Sequence, residues 1–163
     1  CMTNIGHFRA TGKLLEKNTQ PLKTTFWLCP PTKMDEHTLQ EEGYYEIYAR
    51  NGVRTEMPGC SLCMGNQARV EAGATVLSTS TRNFPNRLGD GANVYLTSAE
   101  LAAVGGILGK LPTVEEYMEY ASKIDSMSDE IFKYMNFHQI ASFQKGADAG
   151  KLIAATIVED VKM

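Results

Sequence analysis

An α/β domain with a mainly parallel sheet, layered as α/β/α, is the fold class that this sequence predicts, and three observations predict it. Segments rich in β-branched and aromatic residues alternate with segments of helical spacing along the chain. One of them, Thr24-Thr25-Phe26-Trp27-Leu28-Cys29, is apolar without alternation, as a strand covered on both faces should be. At 163 residues with 43% apolar content and no internal repeat, residues 1–163 read as a single domain with enough material for a buried core.

Taken in order, Cys1 to His7 is polar and contains Gly6, which predicts a loop, and Phe8 to Lys17 mixes apolar and charged residues at helical spacing. The strand over 24–29 is stopped by Pro30-Pro31. From Asp35 to Arg50 the residues Leu39, Tyr44, Ile47 and Tyr48 share a helical face, and Asn51-Gly52 closes that stretch. Val53 to Met57 is a short strand that delivers the chain to a turn-rich segment, Pro58 to Gln67. Ala74 to Thr81 and Ala92 to Leu96 are further strands. Ser98 and Glu100 open an Ala-rich helix running to Leu108, and Pro112-Thr113 opens another over Val114 to Ile124. Asp129 to Phe143 fits a third helix less regularly, and Leu152 to Val158 is apolar enough to dock as a strand or a short helix.

A formal net charge of −3 provides no general attraction for nucleic acid or an anionic membrane. There is no signal peptide and no apolar run long enough for a bilayer, so four cysteines, at 1, 29, 60 and 63, are expected as free thiols in a cytoplasmic, reducing setting with no membrane partner. Because the first residue is Cys1 and not an initiator Met, the chain is expected to be a piece of a longer polypeptide.

The densest chemistry lies in Pro58-Gly59-Cys60-Ser61-Leu62-Cys63-Met64-Gly65-Asn66-Gln67. A Cys-x-x-Cys flanked by turn residues suits a redox dithiol, half of a zinc site or part of an iron–sulfur site. Met64-Gly65-Asn66 is a poor helix start, which weighs against the redox reading, and no second close cysteine pair exists to complete a zinc site. A cubane held by three thiolates would leave one iron open to substrate. Cys1, in a polar loop, and Cys29, at the end of an apolar strand, are both candidates for the third thiolate. Arg82 and Arg87 flank Asn83-Phe84-Pro85-Asn86 directly after a strand, and planar guanidinium forks suit a substrate with several carboxylates. His7, His37 and His138 are expected on the surface or in packing roles.

Three stretches, Cys1 to Arg9, Pro58 to Gln67 and Ser78 to Arg87, closely resemble the aconitase family in its bacterial B branch, and the likeness runs from Cys1 to about Tyr134. The resemblance implies the carboxyl-terminal part of the third, iron–sulfur domain of those enzymes. It implies a 4Fe-4S cluster held by Cys1, Cys60 and Cys63, substrate carboxylates gripped by Arg82 and Arg87, and weaker supporting roles for Asn4 and Gln67. Thr81 stands where other aconitases carry an asparagine. The implied reaction is reversible dehydration and rehydration, a hydro-lyase interconverting citrate and isocitrate through cis-aconitate, with 2-methylisocitrate as a further substrate. The family's basic serine sits in a Ser-Arg pair, and this chain has none, nor any His beside an Asp. No catalytic acid or base is therefore expected in this fragment, which would need the remaining aconitase domains as partners. The alternative function that the resemblance implies is binding of messenger RNA by the cluster-free form.

Overall fold

A computed structural model describes residues 3–60, 62, 63, 65, 68–82 and 84–133. The chain divides into two units, Cys1–Phe132 and Lys133–Met163, and every element below belongs to the first. In chain order these are α1 (Ile5–Glu16), β1 (Trp27–Leu28), α2 (Lys33–Glu41), α3 (Tyr44–Arg50), β2 (Arg54–Thr55), β3 (Thr75–Ser78), β4 (Asn93–Leu96), α4 (Ala99–Leu108), α5 (Val114–Asp125) and α6 (Ser128–Ile131).

Helix α1 starts earlier than its apolar pattern predicts because its cap does the work. The Asn4 side chain accepts from the Gly6 N–H at 3.0 Å, and His7 Nδ1 accepts from the Asn4 N–H at 3.0 Å. This reciprocal box satisfies donors that the first turn would otherwise orphan. One flank of α1 sends Phe8 and Leu15 into a core with Leu28, Leu39, Tyr44 and Tyr48. The other sends Ala10 and Leu14 against Ala103 and Val104 of α4, Ile124 of α5 and Ile131 of α6.

The helical stretch from Asp35 to Arg50 is two helices, not one. Gly43 sits at φ 80°, a left-handed conformation that an α-helix interior cannot carry, and the axis turns there. The junction is clamped to α1 by Arg9, whose guanidinium meets Glu42 in a fork at 2.7 and 2.8 Å. That bond to Glu42 raises the Arg9 pKa. The Tyr48 hydroxyl donates to the Phe8 carbonyl at 2.8 Å, and Asn51 Nδ2 reaches the Leu15 carbonyl at 3.1 Å.

The expected parallel pairing holds. β1 pairs parallel with β2, Trp27 opposite Arg54, and β3 with β4, Thr75 opposite Asn93 through Ser78 opposite Leu96. These are two separate two-stranded ladders, each shorter than the apolar runs suggest. Two local causes shorten them. Ahead of β1 the Lys23 N–H bonds to the Gly106 carbonyl at 3.1 Å, so the backbone there is tied to α4. Beyond β3 the Ser80 N–H turns to Ser78 Oγ at 3.2 Å and the Arg82 N–H to Ser80 Oγ at 3.4 Å, hydroxyl contacts that compete with the ladder.

The capped helices follow their sequence signals. Ser98 Oγ accepts from the Leu101 N–H at 3.0 Å to start α4, and Thr113 with Glu116 forms the capping box of α5. α6 covers the first turn of the helix predicted from Asp129; its continuation to Phe143, and the tail over 152–158, lie outside the described residues. Among the described residues no helix is long and apolar enough to cross a membrane.

Candidate functional site

Beyond β2 the chain stays beside the segment that follows β1. The Glu56 N–H donates to the Leu28 carbonyl and the Gly59 N–H to the Pro30 carbonyl, each at 2.8 Å. Successive turns then follow, the Cys63 N–H reaching the Cys60 carbonyl at 3.2 Å and the Gly65 N–H the Leu62 carbonyl at 3.4 Å. Cys60 and Cys63 thus share one turn at the carboxyl end of a parallel strand, where open α/β folds gather ligands. They differ in exposure: Cys60 is on the surface, whereas Cys63 is 4% exposed.

The loop after β3 supplies the back wall. Arg87 is 2% exposed; its Nη1 donates to the Cys63 carbonyl at 2.9 Å and its Nη2 to Ser78 Oγ at 3.3 Å. Its Nε has no hydrogen-bond partner among the described residues. Burial lowers the Arg87 pKa, the nearby Cys63 thiol opposes that shift, and Arg82 adds to it. The two loops are joined along their length. The Val70 N–H donates to the Leu88 carbonyl and the Gly73 N–H to the Asp90 carbonyl, both at 2.8 Å. Gly65 is needed at the closest approach: its φ is 69°, and a Cβ there would collide with the Arg87 carbonyl oxygen. Asn86, at φ 61°, turns the second loop and accepts from the Gly91 N–H at 2.8 Å.

A cavity of about 690 Å³ opens beside the turn, with Cys29, Cys63, Ser78 and Ser80 in its wall together with Thr3 and His7 from the start of α1. Cys29 and Cys63 thus share one hydroxyl-lined hollow, and the Arg87 guanidinium reaches its wall only through the Cys63 carbonyl and Ser78 Oγ. Thiolates are soft ligands for iron or zinc.

Of the residues predicted to carry chemistry, Cys60, Cys63 and Arg87 are together. Arg82 lies five positions before Arg87 in the same loop, exposed. Cys1 and Gln67 lie outside the described residues, and among the described ones no three metal-ligating side chains converge. Asn4 and His7 are occupied in the α1 cap, and His37 faces Glu41 on the surface of α2 at 3.3 Å. Cys29 is closer to the turn than its apolar strand suggests. It is half-buried, with Sγ 3.0 Å from the Met57 carbonyl oxygen and 3.2 Å from that of Gly59. The available signal was its place as the last residue before Pro30-Pro31, at a strand's carboxyl end.

Comparison with known proteins points the same way. Residues 2–109 match the family model for aconitase (aconitate hydratase). The chain is 66% identical over 152 residues to aconitate hydratase B of Pseudomonas aeruginosa, covering 93% of this chain and 18% of that protein. It is 60% identical over 148 residues to the Escherichia coli aconitate hydratase B, covering 91% and 17%. A more distant likeness, 35% over 113 residues, joins it to the 3-isopropylmalate dehydratase large subunit of Flavobacterium johnsoniae, covering 69% and 24%. The chain spans less than a fifth of the length of the two hydratases.

Proposed function

Because this chain belongs to the aconitase family, we propose that it is the cluster-bearing part of a 4Fe-4S hydro-lyase that interconverts citrate and isocitrate through cis-aconitate, with 2-methylisocitrate as a further substrate. Cys1, Cys60 and Cys63 are the proposed cluster ligands, and Arg82 and Arg87 the proposed grips for substrate carboxylates. The observation that carries this reading is the turn itself: two thiols on one turn, the Cys63 carbonyl held by buried Arg87 at 2.9 Å, and Thr3, two residues past Cys1, in the wall of the same cavity as Cys63. This donor set suits an iron–sulfur centre. Thiolates are its usual ligands, and a neighbouring guanidinium offsets its negative charge.

When bound, a cluster with one thiolate-free iron supplies a Lewis acid for a substrate hydroxyl and carboxylate. The residues of this chain do the holding. Cys60 and Cys63 present sulfur from a turn fixed by main-chain bonds, and Arg87 keeps that turn against the loop after β3. The Arg87 Nε is buried with no hydrogen-bond partner among the described residues, and exposed Arg82 carries the second proposed guanidinium fork in the same loop. Proton transfer is assigned to other parts of the longer protein, since this chain has no Ser-Arg pair. It therefore binds but does not turn over.

Anaerobic reconstitution with iron and sulfide tests both halves. The expected product is a brown protein with roughly four irons per chain, as a cubane requires, and Cys1→Ser, Cys60→Ser and Cys63→Ser variants should each lose it. Stoichiometric zinc uptake with no iron would reject the cluster, and turnover of isocitrate by the loaded chain alone would reject the division of labour.

A further inference from the structure

Cys29 is the cysteine that the proposed cluster does not use, and it sits against the peptide that carries Cys60. We propose that Cys29 and Cys60 form a reversible thiol–disulfide pair, so that the cysteine turn has an oxidised state closed from beneath by Cys29.

The geometry begins from the 3.2 Å between Cys29 Sγ and the Gly59 carbonyl oxygen. That carbonyl is bonded to the Cys60 nitrogen, and standard backbone dimensions then put Cys29 Sγ within about 6 Å of the Cys60 Cα. In a disulfide each sulfur lies closer than that to the partner's Cα, so rotation of the two side chains and a local backbone shift must close the remaining gap. The two segments are already fastened, since the Gly59 N–H donates to the Pro30 carbonyl at 2.8 Å. The hinge is Gly59, at φ 119° with open space around its Cα. Cys63 is the less suitable partner: it is buried, and its carbonyl is pinned by Arg87. A bridge from 29 to 60 also closes a loop of about 30 residues, which restricts the unfolded chain far more than a ring within Cys-x-x-Cys.

The two thiols have different parts in the exchange. Exposed Cys60, as thiolate, attacks a low-molecular-weight disulfide, forming a mixed disulfide and releasing one small thiolate. Cys29, as thiolate, then attacks the Cys60 sulfur and releases the second. Two protein thiols are oxidised, one small disulfide is reduced to two thiols, and the two protons pass to the leaving thiolates. Resting on the cluster reading, the bridge has a consequence: it withdraws Cys60 from the proposed ligands, so the oxidised chain cannot be loaded.

The test uses the full metal-free chain, equilibrated with oxidised glutathione, alkylated, and mapped by mass spectrometry without reduction. The expected result is a linked Cys29–Cys60 peptide pair that dithiothreitol separates. In Cys29→Ala, and in Cys29→Ser as a second variant, Cys60 should instead carry glutathione or the alkylating group. A Cys60–Cys63 or Cys1–Cys60 bridge in the wild-type chain, or glutathione left on Cys60 as the end product, would overturn the proposal. Iron uptake separates the two claims. Oxidised wild type should take up at least tenfold less iron than the same sample after reduction, and reduced Cys29→Ala should load as fully as reduced wild type, since Cys29 is not a proposed ligand. Failure of the reduced wild type to load defeats the cluster while leaving the mapped bridge standing.

Discussion

The α1-centred frame and the turn-rich face that follows β2 and β3 are built from different materials. In the frame, α1 is buried along two flanks, and the fully buried residues Leu15, Leu39 and Tyr48 fill the space between helices. In the face, the chain between Glu56 and Gly91 holds its shape through main-chain bonds between neighbouring loops, one buried guanidinium and glycines at positive φ. Apolar burial makes the frame insensitive to which polar residues surround it. Directional bonds make the face exact in position but give it little burial of its own, and that suits a surface expected to accept a charged group.

Truncating the frame should have the largest effect. Leu15→Ala, at a position with no exposure, is expected to cost about 3 kcal/mol of global stability, read as a lower urea midpoint with an unchanged slope. Loss of structure in the turns alone would reverse the comparison. Alkaline pH should act on the same region with a smaller effect. Burial raises the Tyr48 pKa well above its usual value of about 10, and that of Tyr45 to about 12. The folded state therefore keeps these protons after the unfolded chain has lost them. Their contribution is complete below pH 10 and falls as pH rises beyond it, by about 1.4 kcal/mol per pH unit for Tyr48. Tyr48→Phe should remove one proton's worth of that slope in denaturation curves at pH 9 to 11; an unchanged slope would place the titration elsewhere. The smallest effect belongs to the face. Cys60→Ser, at an exposed turn position, should change stability by less than about 0.5 kcal/mol while abolishing cluster loading. A large stability loss there would mean that the thiol is structural.

The same division decides what could be read in advance. Helices α4 and α5 were legible because Ser98 and Thr113 announce their starts, and parallel pairing was legible from the unalternating Thr24–Cys29 run. Gly43 was visible, but nothing in a helical apolar pattern says whether a glycine is tolerated or turns the axis. Here it turns the axis, and Arg9 with Glu42 fixes the bend from 33 residues away in sequence. The Cys60–Cys63 turn stood out from its flanking Pro and Gly residues. The burial of Arg87 did not, because the pattern makes a loop arginine a solvated charge, and only the folded chain brings Ser78 and the Cys63 carbonyl to it. Cys29 was masked in the same way: an apolar strand hides the fact that its last residue borders the neighbouring strand's turn.

The bond from Arg87 reaches a peptide oxygen, and so it is blind to the side chain that position 63 carries. The scaffold and its reactive atoms are to that extent separable. Sulfur at 63 can be exchanged for oxygen, selenium or a methyl group without withdrawing the anchor, which makes this turn a seat in which different chemistries can be installed and compared at one fixed address.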